Sequence, residues 1–207
     1  TVTPFDKSDL TRIDLDGFAR NLSFLIENGV QVINVGGGTA EVEALSDSEL
    51  ESIAQVALCV AGDRAVVVPT LPGNYRSALA LAPIYERMGA RVLLAMSPFT
   101  RNLVPKDLVG VYDYFRALAG ASSLPFLPYN TQAWPPAFFV RLAEIDAIIG
   151  IKDPCHVPHN LFNAIKLLGD RFVWIGNKRH DPGVLHFRYQ AGIEGFTAGN
   201  INFAPAF

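Results

Sequence analysis

Lys152 closes the run AIIGIK at residues 147–152, and its position sets the chemical question. Ile148, Ile149, Gly150 and Ile151 are the residues of a strand covered on both faces, where an ammonium is expensive to bury. One reading has Lys152 cap the strand and reach out to water on its flexible stem. The other keeps it desolvated, which favours the neutral amine. A neutral amine adds to a ketone and yields a protonated imine, an electron sink for making or breaking bonds at the next carbon.

Two further groups suit that chemistry. Tyr129 and Asn130 end the apolar stretch LPFLPYN, and a strand-end phenol can move protons or simply form a wall with its hydroxyl wet. The segment NVGGGTAE, residues 34–41, carries three consecutive glycines whose amides can approach a carboxylate, with the Thr39 hydroxyl as an added donor. No G-K-[ST] follows, so it is not a Walker loop, and a sharp turn explains the glycines equally well. Gly37, Gly38 and Thr39 are the candidate carboxylate-binding residues.

The surrounding pattern must bring these groups together. Short β-rich runs at 1–5, 30–36, 65–70, 91–96, 124–130, 147–152, 172–176 and 195–199 alternate with seven amphipathic helical segments. The helices are punctuated: Ser46 and Glu49 form an S-x-x-E capping box, and Gly29, Gly62, Gly89 and Gly169 follow last turns. Phe18, Leu22, Leu25 and Ile26 share one face of the first helix. This rhythm predicts an α/β fold, a (β/α)8 TIM barrel, with a doubly wound open sheet as the alternative. In a barrel, chemistry sits at the C-terminal strand ends, where all three candidates fall. Alternation along strand six puts Ile148, Gly150 and Lys152 on one face, with the small Gly150 leaving space beneath the amine. Gly176 ends strand seven and is expected to line the mouth, with Lys178 and Arg179 beyond it.

The chain has 207 residues, half of them hydrophobic, 18% charged, and a net charge of -3, which reads as one domain over 1–207. Its basic residues are scattered, which argues against nucleic acid or an anionic membrane as partner and favours a small molecule. No apolar run approaches the roughly 20 residues of a membrane span. Two cysteines, Cys59 and Cys155, make no disulfide framework, so a cytoplasmic setting is expected. Cys155, His156 and His159 match no zinc spacing, and no metal or cofactor is expected. Such barrels typically run to roughly 250 residues. The chain therefore reads as beginning within strand one and stopping after strand eight, short of a last helix.

The motifs as a set resemble the dihydrodipicolinate synthase and N-acetylneuraminate lyase superfamily of Schiff-base barrels. TVTPF resembles its opening V-T-P-F, GGTAE its G-T-T-G-E loop, PYN its Y-N motif, GIKDP its G-[IF]-K-[DE] strand and NINFAP its A-N-x-x-P segment. The resemblance implies Lys152 as Schiff-base lysine, Tyr129 as proton-relay tyrosine, Gly38 and Thr39 as carboxylate holders, Asn202 as a substrate-binding residue, and a homo-oligomer, dimer or tetramer. Departures redirect the assignment. Gly38 stands in place of the first threonine, Thr100 at the position of a second tyrosine reached from a neighbouring subunit, and Trp134 at that of an arginine gripping the second substrate. They point away from dihydrodipicolinate synthase proper. The GGT loop and the ending NFAPAF are similar to the 5-dehydro-4-deoxyglucarate dehydratase branch, although Ala40 replaces a glycine there.

The expected function is thus a lyase forming a Lys152 imine with pyruvate or another 2-keto acid. Aldol cleavage or condensation and dehydration all share that imine. The alternatives are dehydration with decarboxylation, as in the glucarate branch, and a barrel that binds a keto acid without turning it over. Phe99 and Trp134 are expected to shape the pocket or an interface, and Glu41 to brace the glycine loop.

Overall fold

The computed structural model describes residues 1–99, 105, 107–154, 156–177 and 182–205. Thr100, Cys155, Lys178, Arg179 and the final two residues of NFAPAF lie outside them. Among the described residues, seven strands form one parallel sheet in sequential order: β1 (Val32–Val35), β2 (Val66–Leu71), β3 (Leu93–Met96), β4 (Phe126–Tyr129), β5 (Gly150–Asp153), β6 (Val173–Asn177) and β7 (Gly195–Thr197). Helices α1 (Leu15–Glu27), α2 (Asp47–Ala61), α3 (Tyr75–Arg87), α4 (Val109–Ala121), α5 (Pro136–Leu142), α6 (Pro158–Leu168) and α7 (Pro182–Gln190) alternate with them. A doubly wound sheet reverses its strand order at a switch point. No reversal occurs here, and the 3-10 turn Gly199–Asn202 after β7 returns to contact α1 beside β1. The architecture is that of a (β/α)8 barrel with seven strands in the ladder.

The local signals work as read. Ser46 and Glu49 close a reciprocal capping box on α2, and Gly29, Gly62, Gly89 and Gly169 all take positive φ at helix ends. Phe18, Leu22 and Leu25 bury one face of α1. The exception is TVTPF. Its residues form no strand in the sheet; Phe5 makes one antiparallel bridge to Ile13, and Thr3 Oγ1 donates to the Ala40 carbonyl at 2.9 Å.

The alternation expected for strand six also fails, for a physical reason. Phe126 pairs with Ile148 and Tyr129 with Lys152, so three residues of one strand oppose two of the other. That is a β-bulge, which switches the facing of everything after it. Ile148 and Ile151 therefore both enter the core, and Ile149 is exposed. Nor is there space at Gly150: a Cβ there would stand 2.6 Å from both Leu127 Cδ2 and the Val173 carbonyl oxygen. The glycine lets neighbouring strands close rather than leaving a void beneath the amine.

Candidate active site

A cavity of about 480 Å³ opens at the C-terminal ends of the strands, walled by β1, β4, β5, β6, β7 and the turn after β7. Lys152 and Tyr129, Cα partners on β5 and β4, both line it. The Lys152 Nζ sits 4.2 Å from the centre of the Tyr129 ring, and the residue is 8% exposed. Burial brings its amine down to about 8 from the ordinary 10.5. The snorkelling geometry is not what this side chain adopts. Burial also raises the Tyr129 phenol above its usual value, opposed by a hydrogen bond from Asn177 and reinforced by the Asp153 carboxylate.

Both strand ends are tied from behind. Ser97 Oγ donates to the Tyr129 carbonyl at 2.5 Å, and Asn130 N donates to the Lys152 carbonyl at 2.8 Å. Asn130 Nδ2 donates to Asp153 Oδ2 at 2.6 Å, while its own Oδ1 accepts the amides of Gln132 and Trp134. The residues that follow Tyr129 and Lys152 thus clasp each other in the helical layer, holding the two inward side chains in register.

Gly37, Gly38 and Thr39 line the opposite wall. Gly36 turns with φ +69, and Gly38–Ala40 form a 3-10 turn whose leading N–H groups have no partner within it. A Cβ on Gly37 would overlap Asn34 Oδ1, so the close approach there requires glycine. Glu41 is exposed with φ 61, and it braces the loop through its backbone N–H on the Gly38 carbonyl. Asn202 lines the cavity and donates to the Gly199 carbonyl at 2.7 Å.

Two expectations are displaced, and so is one of the two readings of Phe99, the pocket one. Gly176 does not line the cavity; its Cα faces the Phe196 ring, and Ile175 and Asn177 line the cavity instead. Trp134 is fully buried among Phe115, Phe138 and Phe139, on the helical side of the sheet. Phe99 is 57% exposed and packs over Gly73, away from the cavity. His156 and His159 are exposed, and no cluster of three potential metal ligands occurs among the described residues. No helix among them is long and apolar enough to cross a membrane.

Asn177 and Thr197 are two polar lining residues the sequence reading passed over. Asn177 Nδ2 donates to the Tyr129 hydroxyl at 2.9 Å, and Thr197 Oγ1 donates to Asn177 Oδ1 at 2.6 Å. Their signal was the one that exposed Tyr129 and Lys152, a polar residue closing an apolar strand.

These features define a (β/α)-barrel protein whose buried lysine and tyrosine share a strand-end pocket. The chain belongs to the dihydrodipicolinate synthetase family, whose model matches residues 1–207. It is 24% identical over 206 residues to a probable 5-dehydro-4-deoxyglucarate dehydratase of Bacillus subtilis, covering 99% of this chain and 65% of that protein. It is 34% identical over 158 residues to a 4-hydroxy-tetrahydrodipicolinate synthase of Acidothermus cellulolyticus, covering 73% of this chain and 50% of that one. The chain thus spans between half and two thirds of these curated relatives. The crystal structure of chloride-inhibited dihydrodipicolinate synthase from Acinetobacter baumannii complexed with pyruvate superposes with a TM-score of 0.86 at 26% identity, covering 99% of this chain and 69% of that one. An N-acetylneuraminate lyase from Mycoplasma synoviae matches in fold, with a TM-score of 0.84 at 20% identity over 98% of this chain and 67% of that one.

Proposed function

We propose that the protein is a Schiff-base lyase acting on pyruvate or a longer 2-keto acid. The observation that carries this reading is the buried Lys152 amine, neutral to a useful degree near physiological pH and stacked on the Tyr129 ring. Lys152 adds to the C2 carbonyl, the amides of Gly37, Gly38 and Thr39 hold the C1 carboxylate, and Tyr129 supplies and removes protons at the reacting carbons. Asn202 meets the polar remainder of the substrate. The imine itself is the only covalent catalyst this scheme calls on; the family resemblance carries a homo-oligomer with it, and the sparse cysteines a cytoplasmic setting.

Dehydration of a hydroxylated keto acid is favoured over dihydrodipicolinate synthesis by one observation: Trp134, at the position where a synthase grips its second substrate, is buried outside the cavity. Tyr129→Phe tests the scheme: lost turnover of a 4-hydroxy-2-keto acid with the imine still trappable supports it. Unchanged turnover removes Tyr129 from the mechanism. Keto-acid stabilisation that survives Lys152→Ala, without turnover in the unaltered protein, supports a binding barrel instead.

A further inference from the structure

We propose that Thr197 and Asn177 are positioning residues that aim the Tyr129 proton into the cavity, so that Tyr129 works as an acid–base group served from its own subunit. This rests on the Schiff-base reading above. The hydrogen bonds run one way: Thr197 Oγ1–H to Asn177 Oδ1, then Asn177 Nδ2–H to Tyr129 Oη. Asn177 is fixed from behind as well, because buried Arg188 on α7 donates to its carbonyl at 2.8 Å. A carboxamide does not exchange protons as a relay does at neutral pH, so this chain conducts nothing. It occupies an acceptor site on the phenol oxygen and leaves the phenol O–H to point elsewhere. Lys152 lies on the same ring and lines the same cavity.

The proton count closes without an outside relay. Addition of the neutral Lys152 amine to C2 forms the C–N bond as the C=O π pair moves onto oxygen, and one amine proton passes to that oxygen through the Tyr129 hydroxyl, which gives one proton and takes one, leaving a neutral carbinolamine. The Tyr129 O–H protonates its hydroxyl, the C–O bond breaks, and water leaves, giving an iminium and a phenolate. The Asn177 N–H stabilises that phenolate oxygen, as a donor aimed at developing charge does. The phenolate then removes a proton from C3, producing the enamine and restoring the phenol. At each stage one proton leaves Tyr129 and one returns.

The test follows exchange of pyruvate methyl deuterium into solvent, which reports enamine formation, alongside borohydride trapping of the Lys152 adduct. Asn177→Asp keeps the shape but turns the donor into an acceptor. Read after equilibration and at a pH above the Lys152 inflection, so that neither the dehydration rate nor the charge on the amine sets the end point, the expected result is an adduct yield within about twofold of the unaltered protein, exchange slowed at least tenfold, and an exchange optimum moved to higher pH, since the new carboxylate disfavours the phenolate and the neutral amine alike. Thr197→Val slows exchange severalfold without moving the optimum. Unchanged exchange in Asn177→Asp overturns the proposal. So does a proportional loss of adduct and exchange, the signature of a merely structural role. Absence of any adduct in the unaltered protein overturns the Schiff-base reading itself, and this proposal with it.

Discussion

The depressed Lys152 amine makes a quantitative claim that one substitution can reverse. Ile175 lines the cavity and is the Cα partner of Lys152 across β5 and β6. Ile175→Asp therefore places a carboxylate about 5 Å from the lysine, given the spacing of neighbouring strands. At an effective dielectric of about 20 such a pair attracts by about 3 kcal/mol, or about two pKa units. That returns the amine from about 8 to about 10. At pH 7 the neutral fraction falls from about one tenth to about one thousandth, so imine formation with pyruvate slows by about a hundredfold. The assay is the initial rate of adduct formation under cyanoborohydride, followed from neutral to strongly alkaline pH. The unaltered protein shows its inflection near 8, and the variant recovers its rate only two units higher. A superimposable pair of profiles, or an inflection near the ordinary lysine value in the unaltered protein, refutes the reasoning.

The same burial has a cost in stability. Between pH 8 and 10.5 the folded chain has lost the Lys152 proton while the unfolded chain keeps it, so stability gained from this group rises with pH across that window. Lys152→Met accordingly stabilises the protein by up to about 3 kcal/mol at pH 7, and urea unfolding at pH 7 and again at alkaline pH shows the margin narrowing; equal margins contradict the assignment. Gly150→Ala forces a methyl against Leu127 and the Val173 carbonyl at the bulge. It destabilises by about 1–3 kcal/mol and slows adduct formation, because the bulge aims the lysine. Trp134→Ala removes the centre of the aromatic cluster around Phe115, Phe138 and Phe139 and costs about 3–5 kcal/mol. Its adduct inflection stays near that of the unaltered protein under conditions where the variant is folded.

Much of this architecture is legible from period and punctuation. Seven of the eight β-rich runs became strands, and the capping box and the four glycine stops mark helix ends where they were read. These are local signals, decided by residues a few positions apart. What depends on pairing across the sheet was not legible. The bulge opposite β4 inverts the facing predicted for Ile148, whereas Gly150 keeps the face of Lys152 and Lys152 reaches the cavity because the inserted residue precedes both. TVTPF has strand composition, but its contacts are a bridge and side-chain bonds rather than a ladder. Gly176 was named where Asn177 does the lining, a one-residue error that alternation along β6 explains: Trp174 and Gly176 face the helices, Ile175 and Asn177 the cavity. Trp134 inherited an expectation from its position in a motif alignment, whereas its large apolar ring is buried in the helical layer.

The central claim is that Lys152 is a nucleophilic amine toward 2-keto acids. Its most direct test is intact mass after incubation with pyruvate, and separately with longer keto acids, under borohydride, followed by peptide mapping with Lys152→Ala as the control. One reduced adduct per chain, located on Lys152 and absent from the control, is the predicted result. A folded, intact protein that gains no mass, or gains it equally in Lys152→Ala, contradicts the account.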